Sequence, residues 1–382
     1  MSEVLDFAQA LLSRPSITPK DAGCVDLLSQ VLTSVGFSAE IDNTPNGTTN
    51  AWFAHGSGSP VLVFAGHVDV VPAGDETLWD SPPFVPTIRD GKLFARGASD
   101  MKGSVAAATI AMREFVIQHP DHQGTLAMLI TSDEEGDGLE GTKRVIERFE
   151  RKGFTFDWCI VGEPSCSKTF GDTIKNGRRG SLNGKITIKG KQGHVAYPHL
   201  AVNPVHKAAG FISELTSRTW DLGNDYFLPT TFQISNIHAG VGAVNVVPAE
   251  CEITFNFRFN TCWTADKLIA EVESAAKRHN LECRFEWKCS AQPFVTDPGA
   301  LTRALKQAVE SCCSVTPELN TAGGTSDARF ISRISKETVE FGPTNATIHS
   351  LNECVEVREL ELLKLIYKSC FESLLTQQKR DI

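Results

Sequence analysis

No run of apolar side chains in this sequence approaches the roughly 18 residues that a helix needs to cross a bilayer. The most apolar window, residues 61–65, is only as long as a buried strand. The first six residues begin acidic and turn amphipathic. They lack the basic start and long apolar core of a secretory leader, so neither a membrane anchor nor export is expected, and the cytoplasm is the expected compartment. Also missing is any Cys-x-x-Cys pair among eleven cysteines, an odd number, and the adjacent Cys312 and Cys313 do not have a metal-ligand spacing. Reduced thiols serving mainly as core filler are the expectation. There is no basic stripe. A formal net charge of −9 weighs against nucleic acid or an anionic membrane as partner. It leaves room for a small anionic substrate held by a local arginine cluster. Internal repeats, low-complexity tracts and disordered linkers are missing too.

What is present is length and alternation. At 382 residues the chain exceeds one ordinary compact core, so two domains are expected. Residues 60–66 form a short apolar run suited to a parallel strand covered on both faces. Residues 101–116 are alanine-rich with helical spacing, while 124–131 and Phe156–Val161 are again strand-like. This alternation predicts a mostly parallel sheet covered by helices. Near residue 181 the pattern changes. Residues 185–189 alternate polar and apolar, 203–218 read as an amphipathic helix, and 230–237 as a strand. Glu250–Phe259 alternates with period two throughout, which buries one face. A helix over 265–279 and a strand near 281–287 complete the βαββαβ order of a ferredoxin-like unit. Helices are expected again at 301–312 and Val357–Leu375. The predicted architecture is an α/β domain (residues 1–180 and 294–382) interrupted by an inserted α+β domain (181–293).

The strongest local signal is Gly66-His67-Val68-Asp69, at the end of an apolar strand, where open α/β sheets build their sites. His67 and Asp69 point the same way in an extended chain, which suits a ligating histidine near a supporting carboxylate; a satisfied polar pair in a turn is the alternative. Asp100, among small residues before the alanine-rich stretch, reads equally as a helix N-cap or a metal ligand. In Asp133-Glu134-Glu135, successive acids repel unless a cation or protons neutralise them, although a solvated acidic loop is the commoner reading of such a run. Adjacent glutamates diverge, so one can ligate while its neighbour acts on water. Glu163 follows another apolar strand, and His349 stands near the C-terminal end; each alone is unremarkable. Together, two histidines and several carboxylates can supply a two-zinc site with one bridging carboxylate. Metals about 3.5–4 Å apart lower the pKa of a bridging water and polarise a carbonyl, and the spare glutamate becomes a general base.

These residues lie in the stretches FAGHVDVVPAGD (64–75), RGASDMKG (96–103), ITSDEEG (130–136), VGEPS (161–165) and IKNGRRGSLNGKITIKGKQGHVAYPH (174–199). NVVPAE (245–250), FNFRF (255–259), GGTSDARF (323–330) and FGPTNATIHSLNE (341–353) continue the series. In this order they resemble the zinc aminoacylase and carboxypeptidase superfamily. KNGRRGS, GGTSDARF and GPTNATIHSLNE make the chain similar to its desuccinylase branch, which acts on N-succinyl-LL-2,6-diaminopimelate. The resemblance implies a zinc-peptidase-like α/β catalytic domain with an inserted ferredoxin-like dimerisation domain, and two Zn2+ per subunit, with Co2+ able to substitute. Asp100 would bridge the metals, with His67 and Glu163 completing one site and Glu135 and His349 the other. Glu134 would be the general base, and Asp69 would support His67. The implied reaction releases succinate and LL-2,6-diaminopimelate for lysine and cell-wall precursor biosynthesis. A homodimer is implied, in which His194, an oxyanion donor, and Asn245 reach the partner's active site. Arg178, Arg179 and Arg258 are candidates for the substrate's carboxylates. Ser181, Tyr197, Gly324, Thr325 and Asn345 match the family's substrate contacts. Rival readings are a sibling deacylase or dipeptidase acting on acetylornithine, acylated amino acids or short peptides, and an inactive ligand-binding relative. A nucleic-acid-binding factor is disfavoured by the acidic balance.

Overall fold

The structure, a computed structural model, describes residues 2–376. They group into two compact units. The first takes the chain up to Gly177, Thr296–Asn320 and the stretch from Ser326 onward; the second takes Arg178–Val295 and Thr321–Thr325. The short Thr321–Thr325 segment, expected with the catalytic part, therefore belongs with the inserted one.

The first unit is built on an eight-stranded sheet. Its central order is Thr125–Thr131, Val61–His67, Phe156–Val161 and Ser335–Glu340, all parallel. Thr125–Thr131 is buried at every position and Val61–His67 at all but one, as their unbroken apolar runs require. Ser38–Asn43 and Thr49–Gly56 add an antiparallel edge. The helix Gly103–Gln118 is largely buried, Ala106, Ala107, Ala108 and Ala111 allowing close approach on several sides, while Val357–Leu375 buries one face. In the core Phe64 meets Tyr367 edge to face, and the buried Tyr367 hydroxyl donates to Phe341 O at 2.6 Å.

The parallel register decides where the chemistry falls. His67 is opposite Thr131, and Ala65 opposite Val161, so three strands end together. The loops that leave those ends carry Asp69, Glu134, Glu135 and Glu163. Met101 lies against the same ends. A side chain at Gly66 or Gly162 would come within 2.5 or 2.7 Å of the Met101 methyl, so glycine at both places lets Asp100 reach the sheet. The turn itself departs from the capping alternative. Asp100 (φ −120°, ψ 94°) is not helical, and the helix Gly103–Gln118 starts beyond it with Lys102 at its cap position.

The second unit is a βαββαβ fold with antiparallel sheet order Thr231–Ala239, Glu250–Phe259, Gly180–Lys189, Cys283–Ala291. Asn203 and Thr264 accept from main-chain N–H groups at the starts of the helices Pro204–Ser217 and Ala265–Arg278. Alternation along Glu250–Phe259 sends Cys251, Ile253, Phe255, Phe257 and Phe259 into the core and leaves Arg258 on the other face. Thr231–Ala239 is an edge strand, exposed along most of its length. All eleven cysteines are free. Five are buried, and Cys283, Cys312 and Cys313 pack half-buried against the two cores, so core filling accounts for most of them. Among the described residues no helix is long and apolar enough to cross a membrane.

Candidate metal centre

The first unit gathers His67, Asp100, Glu134, Glu135, Glu163 and His349 around one point. Asp100 is the hub: its Oδ1 lies 3.2 Å from His67 Nε2 and its Oδ2 3.4 Å from His349 Nε2. Each imidazole has a further carboxylate of its own. Glu163 Oε1 is 3.8 Å from His67 Nε2, and Glu135 Oε1 is 2.9 Å from His349 Nε2. The candidate ligand atoms of His67, Asp100 and Glu135 lie within 4.8 Å of one another, as do those of His67, Glu134 and Glu163. His349 has a left-handed backbone (φ 58°), a conformation histidine adopts more readily than most residues other than glycine.

Asp69 does more than support His67. His67 Nδ1 is 2.9 Å from the Asp69 main-chain oxygen and 3.6 Å from its carboxylate. With Nδ1–H given to that carbonyl, Nε2 faces the acidic cluster. The Asp69 carboxylate instead accepts the main-chain N–H of Glu134 at 3.3 Å and of Glu135 at 3.0 Å. One aspartate thereby sets the turn of the acidic loop.

The electrostatics select positive charge. Hydrogen bonds accepted by Asp100 and Glu135 push the pKa of His349 up to about 10. Burial disfavours charge on His67, yet Asp100, Asp69, Glu134 and Glu163 outweigh it and hold that imidazole well above its ordinary range. Burial is also the main cause of the raised Glu134 and Glu163, reinforced at Glu134 by Asp327 and at Glu163 by Asp100. Carboxylates this crowded reach their charged forms together only beside a cation. Two nitrogen donors, a central carboxylate and one carboxylate per histidine are a donor set that zinc accepts. The residues present therefore fit a pair of divalent metals.

Two contributors were not given roles from sequence. Asp327, in the GGTSDARF stretch, is buried with its carboxylate 3.8 Å from Arg329 Nη2, and is the carboxylate that most raises Glu134. Glu353, four residues after His349, is buried against the turn that carries Asp100. Both stand in stretches the sequence marks, but their roles arise from tertiary contacts.

The other candidates of the second unit fall into three places. His194 and Val246 are paired, and Asn245 O accepts from Val195 N at 3.1 Å, so His194 and Asn245 are neighbours. His194 Nδ1 accepts from Ala196 N at 3.1 Å, which puts the ring proton on Nε2 in the neutral tautomer. Tyr197 is exposed, its ring 5.7 Å from that of His194. Ser181 is paired with Arg258, and Arg179 feels both burial and the Arg258 charge, which lower its pKa. Among the described residues the buried Arg179 Nε has no acceptor. Arg178 is engaged, donating to Ala322 O at 3.3 Å and Gly324 O at 3.1 Å, next to Thr325. Asn345, in the first unit, donates its main-chain N–H to Cys166 O at 2.9 Å.

A family model described as Peptidase family M20/M25/M40 matches residues 63–373. A relative named succinyl-diaminopimelate desuccinylase from Bordetella avium is 53% identical over 375 residues, covering 98% of this chain and 99% of the relative. A relative of the same name from Methylobacillus flagellatus is 52% identical over 376 residues, covering 98% and 100%. Among solved structures, an M20 family metallo-carboxypeptidase from Sulfolobus solfataricus shares the fold with a TM-score of 0.77 at 18% identity, over 98% of this chain and 99% of that one. The matched residues span all five candidate metal ligands, and the chain belongs to peptidase family M20/M25/M40, beside the succinyl-diaminopimelate desuccinylases.

Proposed function

We propose that this chain is a two-zinc amidohydrolase that cleaves the succinyl amide of N-succinyl-LL-2,6-diaminopimelate to succinate and LL-2,6-diaminopimelate, in lysine and cell-wall precursor biosynthesis. The observation that carries the reading is Asp100 held between two imidazoles, each with its own carboxylate. It is joined by the likeness to relatives of that name along nearly the whole chain. His67 and Glu163 would hold one Zn2+, Glu135 and His349 the other, and Asp100 both, with Co2+ competent in their place. Bound there, the cations would polarise the amide carbonyl and make a water molecule acidic enough to ionise near neutral pH.

The protein's own groups do the rest. Glu134 is the carboxylate left over once each imidazole has its partner, and burial together with Asp327 suits it to hold a proton. It takes the water's proton as the oxygen attacks and gives it to the leaving amine as the C–N bond breaks. His194, with the proton on Nε2, would reach the active site of the other copy in a dimer and donate there to the amide oxygen as charge builds. Arg179 and Arg258, an arginine pair with an unused donor, take a substrate carboxylate, with Ser181, Tyr197, Asn245 and Asn345 as polar contacts. Arg178 secures the segment that presents Gly324 and Thr325. We take the second unit as the dimerisation domain and the cytoplasm as the compartment; eleven free thiols suit reducing surroundings.

The test is parallel hydrolysis of N-succinyl-LL-2,6-diaminopimelate and N-acetylornithine by zinc-loaded, chelator-treated and re-metallated protein. The expected result is strong preference for the succinylated substrate, lost on chelation and restored by Zn2+ or Co2+. Preference for acetylornithine would keep the metal centre and overturn the substrate.

A further inference from the structure

The turn that delivers Asp100 is dictated by neither the strand before it nor the helix after it. Asp100 and Met101 both have non-helical backbone inside an otherwise coiled segment. Several N–H groups of this turn converge on one side chain. Glu353 is 1% exposed; its Oε1 accepts from Ser99 N and Asp100 N, each at 3.0 Å. Its Oε2 accepts from Gly97 N at 2.9 Å and from Arg96 Nη1 at 2.8 Å. Further bonds run between the same two segments. Ala95 N donates to Glu353 O at 3.1 Å, Ser99 Oγ to Thr344 O at 2.7 Å, and Arg96 Nη1 to Ser350 O at 3.1 Å. All these acceptors lie in residues 344–353, the loop that also carries His349. On the far side, Lys102 Nζ donates to Leu11 O at 3.2 Å and Arg14 O at 2.7 Å.

A buried carboxylate is expensive unless its oxygens are hydrogen-bonded, and here four donors satisfy both of them. Those bonds fix the main-chain nitrogens of Gly97, Ser99 and Asp100, up to the Asp100 Cα itself, and so restrict the direction of its side chain. We propose that Glu353 is a positioning residue of the metal centre. It shapes the 96–100 turn and locks it to the His349 loop, so that the two Asp100 oxygens meet both imidazoles. This rests on the metal reading of the site given above. Glutamine at 353 keeps the shape but turns an N–H toward two donors, so the turn loses its template without losing its volume.

The experiment compares zinc binding by metal-free wild type, Glu353→Gln and Glu337→Gln, by calorimetric titration, with circular dichroism to check folding. Glu337 is the control: it is buried in the same unit and accepts from Gly299 N, Leu301 N, Thr302 N and Thr302 Oγ1, at the start of the helix Ala300–Cys313. Expected are a folded Glu353→Gln protein binding zinc about 10–100-fold more weakly, and a Glu337→Gln protein binding it like wild type. Unchanged affinity in Glu353→Gln overturns the proposal. So does equal weakening in both variants, because the carboxylate would then serve only general stability. If Glu353→Gln does not fold, hydrogen exchange in the metal-free wild type decides: protected amides at Gly97, Ser99 and Asp100 support the template, and free exchange overturns it. Wild type that binds no zinc removes the metal reading itself and this inference with it.

Discussion

Glu134 and Glu135 are joined by one peptide bond and face different tasks. The N–H groups of both are pinned by Asp69, but only Glu135 reaches His349. We therefore expect Glu134→Gln to keep its zinc and lose turnover by about 10²–10⁴-fold, the contribution of a general base. Metal analysis beside initial rates checks this; a metal-replete variant that still turns over briskly removes Glu134 from the mechanism. At this scale the sequence was informative wherever a donor followed an apolar strand, as at His67, Glu134 and Glu163. It was silent about Glu353, whose partners are main-chain N–H groups about 250 positions away, since a backbone amide leaves no trace in residue identity. Charge alone proposes Arg178 for a substrate carboxylate and says nothing of the carbonyl oxygens of its own unit to which the guanidinium also donates.

At the scale of elements, period-two and helical patterns located the strands and helices well. Phe156–Val161, Glu250–Phe259 and Val357–Leu375 have the expected limits. The strand expected at 185–189 begins already at Gly180, and the alanine-rich helix, expected from Met101, begins at Gly103. Residues 98–102 are coiled irregularly because Met101 is pressed against the sheet and Asp100 is drawn toward two histidines, both tertiary causes. That packing makes a prediction. In Gly162→Ala the new methyl would lie 2.5 Å from Phe64 Cζ and 2.7 Å from Met101 Cε. Overpacking of this kind costs about 1–3 kcal/mol. The variant should unfold at lower denaturant concentration and bind zinc more weakly; an unchanged midpoint would mean the strand end yields.

For the whole molecule, a ferredoxin-like insertion was legible from the βαββαβ order, whereas the attachment of Thr321–Thr325 to it was not, because five residues carry no period. Its edge strand Thr231–Ala239 exposes unpaired main chain and Ile237, the kind of edge a second copy covers. We expect a dimer in sedimentation and a monomer for Ile237→Lys; a lysine variant that stays dimeric places the contact elsewhere. The sheet of the first unit has a separate consequence for synthesis. Phe156–Val161 lies between Val61–His67 and Ser335–Glu340, and the second of these neighbours is encoded after the whole insertion. A growing chain holds that strand with one side bare until Ser335–Glu340 is made. His349 and Glu353 arrive later still. Through synthesis of the insertion the nascent chain therefore carries a bare strand edge and an incomplete metal centre.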